Sequence, residues 1–155
     1  MPTTVDQEQR NAIMEHIYRY TRACDFGATS KEFMESIFTQ DIVLDGSLMG
    51  VYEGEEGIRR WVAECHETQK RVTMLHVVSN EIVESTQDGA RVSTYLTELM
   101  IYPSPVLGRG DHVTDLAFSG LYTFELRRHE DGWRIARRTV RVLRHEPDKL
   151  PRFDA

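Results

Sequence analysis

The chain has 155 residues, which is enough for one domain with a buried core, since single domains cluster at roughly 100–150 residues. Its 40% hydrophobic and 28% charged residues are ordinary for a globular protein and exclude a disordered chain. The 19 basic and 25 acidic side chains give a net charge of −6, which argues against a nucleic-acid-binding protein.

The two cysteines, Cys24 and Cys65, lack CxxC spacing and predict neither a disulfide framework nor a zinc site. Residues 1–10 are polar and acidic and hold no apolar signal-peptide segment. No stretch reaches the roughly 20 apolar residues that cross a bilayer. We therefore expect a cytoplasmic protein that does not bind membranes.

The first predicted element is a long helix. A capping-box pattern opens at either Thr4 or Asp6, and Gly27 suits a left-handed cap at the other end. Between them, apolar residues recur at three- and four-residue spacing and form one stripe: Ile13, Met14, Ile17, Tyr18, Tyr20 and Cys24.

Two further helices are predicted. Thr29 and Glu32 form a second capping box in front of a short apolar face. A third helix is predicted from about residue 55 to residue 69, with its buried side formed by Ile58, Trp61, Val62 and Cys65.

Strands make up the remainder. Residues 41–44 and 48–52 flank Asp45-Gly46, which predicts a tight hairpin. Runs rich in Val, Thr, Tyr, Leu and Ile, separated by turn residues, predict four longer strands over 71–84, 90–102, 112–128 and 133–144.

Helices followed by hairpin-linked strands indicate the α+β class, with an antiparallel sheet that carries helices on one face. We expect one domain over residues 1–145, a mobile loop over 103–110 and a tail over 146–155.

Several short motifs in this order resemble the SnoaL-like branch of the nuclear transport factor 2-like superfamily. The likeness runs from about residue 8 to 143 and rests on residues 18–25 (YRYTRACD), 33–38 with Asp41, Gly54 with 57–59, 76–80 (HVVSN) and 131–135 (DGWRI).

The resemblance implies a cone-shaped, cystatin-like α+β barrel. In that fold a curved, mixed but mostly antiparallel sheet wraps around a deep pocket, with three helices from the N-terminal half. The branch includes dehydratases, isomerases, a dehydrochlorinase, polyketide cyclases and members without known chemistry, so the fold does not by itself determine the function.

Asp25 and His76 are the first candidates for chemistry. Asp25 ends the first predicted helix, where the helix dipole disfavours its charged form, and it either caps the next turn or pairs with a histidine. His76 stands between Met74 and Val78 on one face of an apolar strand, either as an interior residue or as a base. The resemblance implies that the two form a catalytic dyad inside the pocket.

Tyrosines supply the next candidates. Tyr20 is either a core aromatic residue or a hydrogen-bond donor to a carbonyl or leaving hydroxyl, and Tyr18, two helical turns before Asp25, competes with it. His112 is a candidate for the pocket mouth. Further substrate-binding candidates are Tyr52, Asn80, Tyr95 and Tyr122.

The last predicted strand carries five arginines. Strict alternation places Arg137 and Arg141 on one face, and the other face then holds Arg134, Arg138 and Arg144. One of them can point into the cavity to stabilise an anion, but the sequence does not identify which.

No HxH, HExxH, CxxC or phosphate-loop pattern is present, so we expect chemistry without a metal or cofactor. The first functional hypothesis is a lyase or isomerase that acts on a hydrophobic cyclic small molecule. His76 would take a proton from carbon, Asp25 would orient the imidazole, and Tyr20 would assist at oxygen. The alternative is a non-catalytic binder or assembly module, like the small subunit of ring-hydroxylating dioxygenases. In both cases we expect a homodimer or homotrimer.

Overall fold

The computed structural model describes residues 5–103 and 112–145. The helices are α1 (Gln7–Asp25), α2 (Ser30–Ser36) and α3 (Gly54–Gln69). The strands are β1 (Phe38–Asp45), β2 (Val51–Glu53), β3 (Thr73–Thr86), β4 (Gly89–Pro103), β5 (His112–His129) and β6 (Gly132–His145). The predicted α+β class is confirmed.

The helix ends follow the predicted capping chemistry. The Asp6 side chain accepts a hydrogen bond from the Gln9 backbone N–H at 2.8 Å, so α1 begins at the second of the two predicted caps. Thr29 and Glu32 form the reciprocal capping box of α2. Gly27, which follows α1, has a φ of +70°, a conformation that glycine adopts without strain.

The six strands form one curved, unclosed sheet in the order β2-β1-β6-β5-β4-β3. β1 and β6 are parallel, and every other neighbouring pair is antiparallel, so the sheet is mixed but mostly antiparallel. Shifts of register interrupt all of the long strand pairs. Because bulges bend a strand and increase its twist, they give this sheet a concave face that the helices cover.

The predicted hairpin at Asp45-Gly46 is wrong in its turn. A short 3₁₀ segment, Ser47–Met49, separates β1 from β2, and Asp45 pairs with Val51 across the opening. The Asp45 carboxylate accepts the Ser47 N–H at 3.0 Å, which favours this local turn over a two-residue loop.

The predicted grouping of the arginines on β6 is also wrong in one respect, because Arg134 and Arg138 do not share a face. A bulge follows Ile135 and shifts the pairing of β6 with β5 by one residue. Arg134 therefore lies opposite the exposed Arg127, whereas Arg138 lies opposite the buried Phe124. Positions 127 and 124 have opposite orientations on β5, so the two arginines point to different faces of the sheet.

The core fills the space between the helices and the concave face. α3 approaches the sheet closely at Gly57, where a Cβ atom would lie 2.8 Å from the backbone carbon of Tyr52. Six aromatic side chains contact one another at the centre of this core: Tyr20, Phe33, Phe38, Trp61, Tyr122 and Phe124.

The predicted tail over 146–155 and most of the predicted loop over 103–110 lie outside the described residues. Within residues 5–103 and 112–145, no helix has the length and apolar character needed to cross a membrane.

Candidate active site

A partly open cavity of about 50 Å³ lies between the helices and the concave face of the sheet. Every major element of the fold except α2, β1 and β2 contributes to its wall. The lining residues are Tyr20, Cys24, Met49, Trp61, Cys65, Met74, His76, Glu98, Tyr122 and Arg138.

Asp25 and His76 meet beside this cavity. The Asp25 Oδ1 atom lies 2.6 Å from the Nδ1 atom of His76, and each side chain is 9% exposed. The backbone N–H of His76 also donates to Asp25, at 3.0 Å to Oδ1 and 3.2 Å to Oδ2. Since both carboxylate oxygens already accept, Nδ1 carries the proton that the imidazole donates to Asp25.

Glu98 faces the other nitrogen of the same ring. Its Oε2 atom lies 3.4 Å from His76 Nε2, and its side chain is 6% exposed. The two residues lie directly opposite each other on β4 and β3, so they share a face of the sheet. Asp25 and Glu98 thus stand at opposite ends of one imidazole, an arrangement that leaves no common point for a metal ion.

The three groups shift one another's ionisation. Burial opposes a charge on His76, but the charges of Glu98 and Asp25 outweigh it and raise the pKa of His76. Burial raises the pKa of Glu98, and the nearby imidazolium only partly offsets this. Both groups therefore hold protons to a higher pH than they would in water.

Arg138 is the arginine that enters the cavity. Its guanidinium lies 5.5 Å from the centre of the Tyr122 ring and interacts with the Tyr20 hydroxyl. The side chain is buried, its Nε atom has no hydrogen-bond partner, and no carboxylate of the described segments forms an ion pair with it. A buried cation in this condition favours an anionic or strongly polar oxygen as its ligand.

The two cysteines in the wall are free thiols. Burial raises the pKa of Cys24, and it raises the pKa of Cys65 to about 12. Both side chains are protonated at neutral pH, so neither has the character of a thiolate nucleophile.

Residues 6–139 match the profile of the SnoaL-like domain. This chain belongs to the SnoaL-like domain family. No curated protein matches it significantly.

Solved structures share the fold of this SnoaL-like domain along nearly all of its length. A candidate aromatic ring hydroxylase from Novosphingobium aromaticivorans is 27% identical, with a TM-score of 0.70 and coverage of 91% of this chain and 93% of that one. A protein with a cystatin-like fold from Nostoc punctiforme is 21% identical, with a TM-score of 0.68 and coverage of 94% and 96%. A candidate scytalone dehydratase from Novosphingobium aromaticivorans is 14% identical, with a TM-score of 0.71 and coverage of 89% and 86%.

The SnoaL-like domain places two of the predicted tyrosines, Tyr20 and Tyr122, in the cavity wall. Tyr52 is buried behind the wall, where its hydroxyl donates to the Met49 carbonyl at 3.2 Å and contacts the Glu64 carboxylate. Tyr52 thereby positions Met49, which lines the cavity, without reaching the cavity itself.

Other predicted candidates lie away from the cavity. Tyr18 and Tyr95 are 43% and 56% exposed on the outside of the domain. Asn80 is exposed, and its φ of +56° places it in the β3 bulge, a structural position that suits asparagine. His112 begins β5, but its side chain is outside what the structure describes.

The sequence reasoning missed Glu98. Between residues 90 and 100 of β4 the even-numbered positions are buried, and they are Ala90, Val92, Thr94, Leu96, Glu98 and Met100. A lone carboxylate in such a row is a signal that was available, because a buried acid requires a partner. Its partner, His76, follows from strand pairing that the sequence does not specify.

Proposed function

We propose that this SnoaL-like domain is a cofactor-independent lyase or isomerase that acts on a hydrophobic cyclic small molecule. The observation that carries the proposal is the 2.6 Å contact of Asp25 with His76 Nδ1, which leaves Nε2 as the ring nitrogen without a proton, on a side chain that lines the cavity. An imidazole oriented in this way is a general base, and such catalysis contributes on the order of 10²–10⁴-fold.

In the proposed reaction His76 removes a proton from the carbon next to a carbonyl group. The electrons move onto the carbonyl oxygen, where a negative charge develops. Tyr20 and Arg138 are in contact with each other in the cavity wall and stabilise this charge as hydrogen-bond donors. Loss of a hydroxyl from the neighbouring carbon completes a dehydration, and return of the proton to a different carbon completes an isomerisation.

The size of the cavity sets a condition on the substrate. Its volume of about 50 Å³ is well below the roughly 300–1,000 Å³ of small-molecule sites, so a cyclic ligand has to displace part of the wall. Met49 and Met74 supply the most adaptable part of that wall, because the methionine side chain is unbranched and flexible. Three of the other lining residues, Tyr20, Trp61 and Tyr122, are aromatic, which suits a flat hydrophobic ring.

Two of the similar structures point in the same chemical direction. One is described as a candidate scytalone dehydratase and the other as a candidate aromatic ring hydroxylase. The first names a dehydration and the second an aromatic ring, which agrees with the proposed reaction and with a cyclic substrate.

The test is a screen of cyclic β-hydroxy ketones, with formation of the conjugated enone followed by ultraviolet absorbance. Double-bond shifts in cyclic β,γ-unsaturated ketones are followed in the same way. We expect His76→Ala to lower turnover by roughly 10²–10⁴-fold. His129→Ala is the matched control, because His129 also pairs with an aspartate but is exposed. Equal turnover by wild type and His76→Ala would contradict the proposal.

A non-catalytic assembly module is the second candidate. The observation that favours it is the 27% identity to the candidate aromatic ring hydroxylase, combined with a cavity too small for a ring. This function predicts that the purified chain turns over no member of either ketone series. It also predicts that His76→Ala and the wild type have the same activity in any oxygenase assembly of which the chain is a subunit.

A further inference from the structure

We propose that Glu98 is the general acid of this site and that it shares one proton with the Nε2 atom of His76. This inference rests on the proposed function, since it assigns the group that protonates the leaving oxygen.

The geometry gives the imidazole one tight and one loose contact. Asp25 holds Nδ1 at 2.6 Å, while Glu98 stands 3.4 Å from Nε2, longer than the usual 2.7–3.2 Å of a hydrogen bond. His76 and Glu98 both line the cavity, whereas Asp25 does not. A substrate in the cavity therefore meets Nε2 and the Glu98 carboxyl group together.

One proton between these two atoms is the charge state that the surroundings favour. A bare carboxylate beside an imidazole lone pair would be buried without a donor, which is costly. With one proton the pair is either imidazolium and carboxylate or imidazole and carboxylic acid. The raised pKa values of both His76 and Glu98 agree with retention of this proton at neutral pH.

Groups from four other elements face the pair and set its charge balance. They are Asp25 on α1, Cys65 on α3, Tyr122 on β5 and Arg138 on β6. Asp25 favours a proton on the pair and Arg138 opposes it, while the thiol and the phenol are neutral.

The tyrosine in the cavity is poorly suited to the role of acid. Burial raises the pKa of Tyr20 well above its ordinary value, so its hydroxyl does not give up a proton near neutral pH. Tyr20 can donate a hydrogen bond to a carbonyl oxygen, but a departing hydroxide needs full proton transfer. Glu98 is a buried carboxyl group with a raised pKa, which is the kind of group that serves as general acid.

The His76–Glu98 pair accounts for every proton that moves in the dehydration. His76 Nε2 takes the proton as the C–H bond breaks, and the C–H electron pair forms the new C=C bond. The C–O bond breaks with its electrons on oxygen, and the Glu98 carboxylic acid donates its proton so that water leaves. The pair now holds imidazolium and carboxylate, and transfer of one proton from Nε2 to Oε2 restores the starting state.

The test compares Glu98→Gln with Glu125→Gln, an exposed glutamate on β5, and with Glu98→Asp. On a substrate found in the ketone screen, we expect Glu98→Gln to lower kcat by roughly 10²–10⁴-fold, with Glu98→Asp partly active and Glu125→Gln unchanged. Loss of the high-pH limb of the pH–rate profile in Glu98→Gln would identify the missing acid. Wild-type kcat in Glu98→Gln, with His76→Ala inactive, would overturn the role of Glu98 and leave the proposed function intact.

A nitrogen-15 NMR titration of His76 decides the question even when no ketone is turned over. We expect the pKa of His76 to fall in Glu98→Gln, because the charge that raises it is removed, and to stay the same in Glu125→Gln. An unchanged His76 pKa in Glu98→Gln would overturn the shared proton. If Glu98→Gln does not fold, Glu98→Asp supplies the comparison, and we expect a smaller shift in the same direction.

Discussion

The Asp25 carboxylate accepts hydrogen bonds from both the ring and the backbone of His76. Oδ1 accepts the Nδ1–H at 2.6 Å and the backbone N–H at 3.0 Å, which joins the end of α1 to β3 across 51 residues of sequence. The backbone N–H holds the Asp25 carboxylate beside the ring. Because a carboxylate can only accept a hydrogen bond, Asp25 imposes on His76 the tautomer with its proton on Nδ1. The imidazole is therefore oriented by the same contact that packs the helix on the sheet.

Asp25→Asn tests this tautomer. The asparagine oxygen can still accept the backbone N–H, but its amide then points N–H groups at Nδ1 and forces the proton onto Nε2. We expect a loss in kcat no larger than that of His76→Ala, up to roughly 10⁴-fold, the size seen when the equivalent change is made in serine-protease triads. Nitrogen-15 shifts report the tautomer, and circular dichroism reports the fold. Asp41→Asn, in an exposed pair with Arg127, is the control, and full activity in Asp25→Asn would contradict the assignment.

The His76–Glu98 pair predicts how stability depends on pH. The pKa of each group is raised in the folded state, from 6.5 for His76 and from 4.5 for Glu98, so the folded chain binds more protons than the unfolded chain. The stabilising contribution is complete below the unfolded values and is lost as the pH rises through the folded ones. We expect the urea midpoint to fall with rising pH more steeply in wild type than in Glu98→Gln.

That comparison isolates the pair from other titrating groups. His16, for example, has a lowered pKa because it is buried, and it contributes the opposite slope in both proteins. Parallel curves of midpoint against pH for wild type and Glu98→Gln would show that the pair does not contribute to the pH dependence of stability.

Arg138→Met separates function from stability. The buried guanidinium has no ion pair within the described segments, so methionine, which fills a similar volume, removes the cost of desolvating a charge. We expect the free energy of unfolding to stay the same or rise by up to about 1–4 kcal/mol, while turnover falls. Chemical denaturation and the ketone assay measure the two effects.

Arg134→Met is the matched control on the same strand. The Arg134 guanidinium is bonded to the Asp131 carboxylate and the Glu35 carbonyl, so its removal should cost roughly 1–3 kcal/mol of stability without loss of activity. A larger loss of stability in Arg138→Met than in Arg134→Met would contradict the unpaired state of Arg138.

Phe33→Ala tests the aromatic core. Phe33 stacks on Phe38 with ring centres 5.2 Å apart and meets the edge of Trp61 at 5.1 Å. We expect a loss of about 3–5 kcal/mol in the free energy of unfolding, because the cavity left behind cannot close. Phe26→Ala, at a side chain that is 75% exposed, should change it by less than about 0.5 kcal/mol in the same urea titration.

The sequence by itself determined the elements and the fold class. Capping residues such as Thr29 and Glu32 and the alternation along the long strands are local signals, and local signals survive without tertiary contacts. The resemblance carried by short motifs then identified the family and predicted a pairing of Asp25 with His76, two side chains that are in contact in the structure.

The tertiary structure decided which side chains share the cavity. Glu98 meets His76 only because β4 pairs with β3 in this register, and Arg138 enters only because a bulge after Ile135 reverses the faces of β6. Strict alternation cannot anticipate a bulge, and pairing between strands is a long-range choice that depends on the whole sheet. Strand register therefore determines that Glu98 lies opposite the imidazole of His76 and that Arg138 lies beside Tyr20, and no local pattern of residues predicts either position.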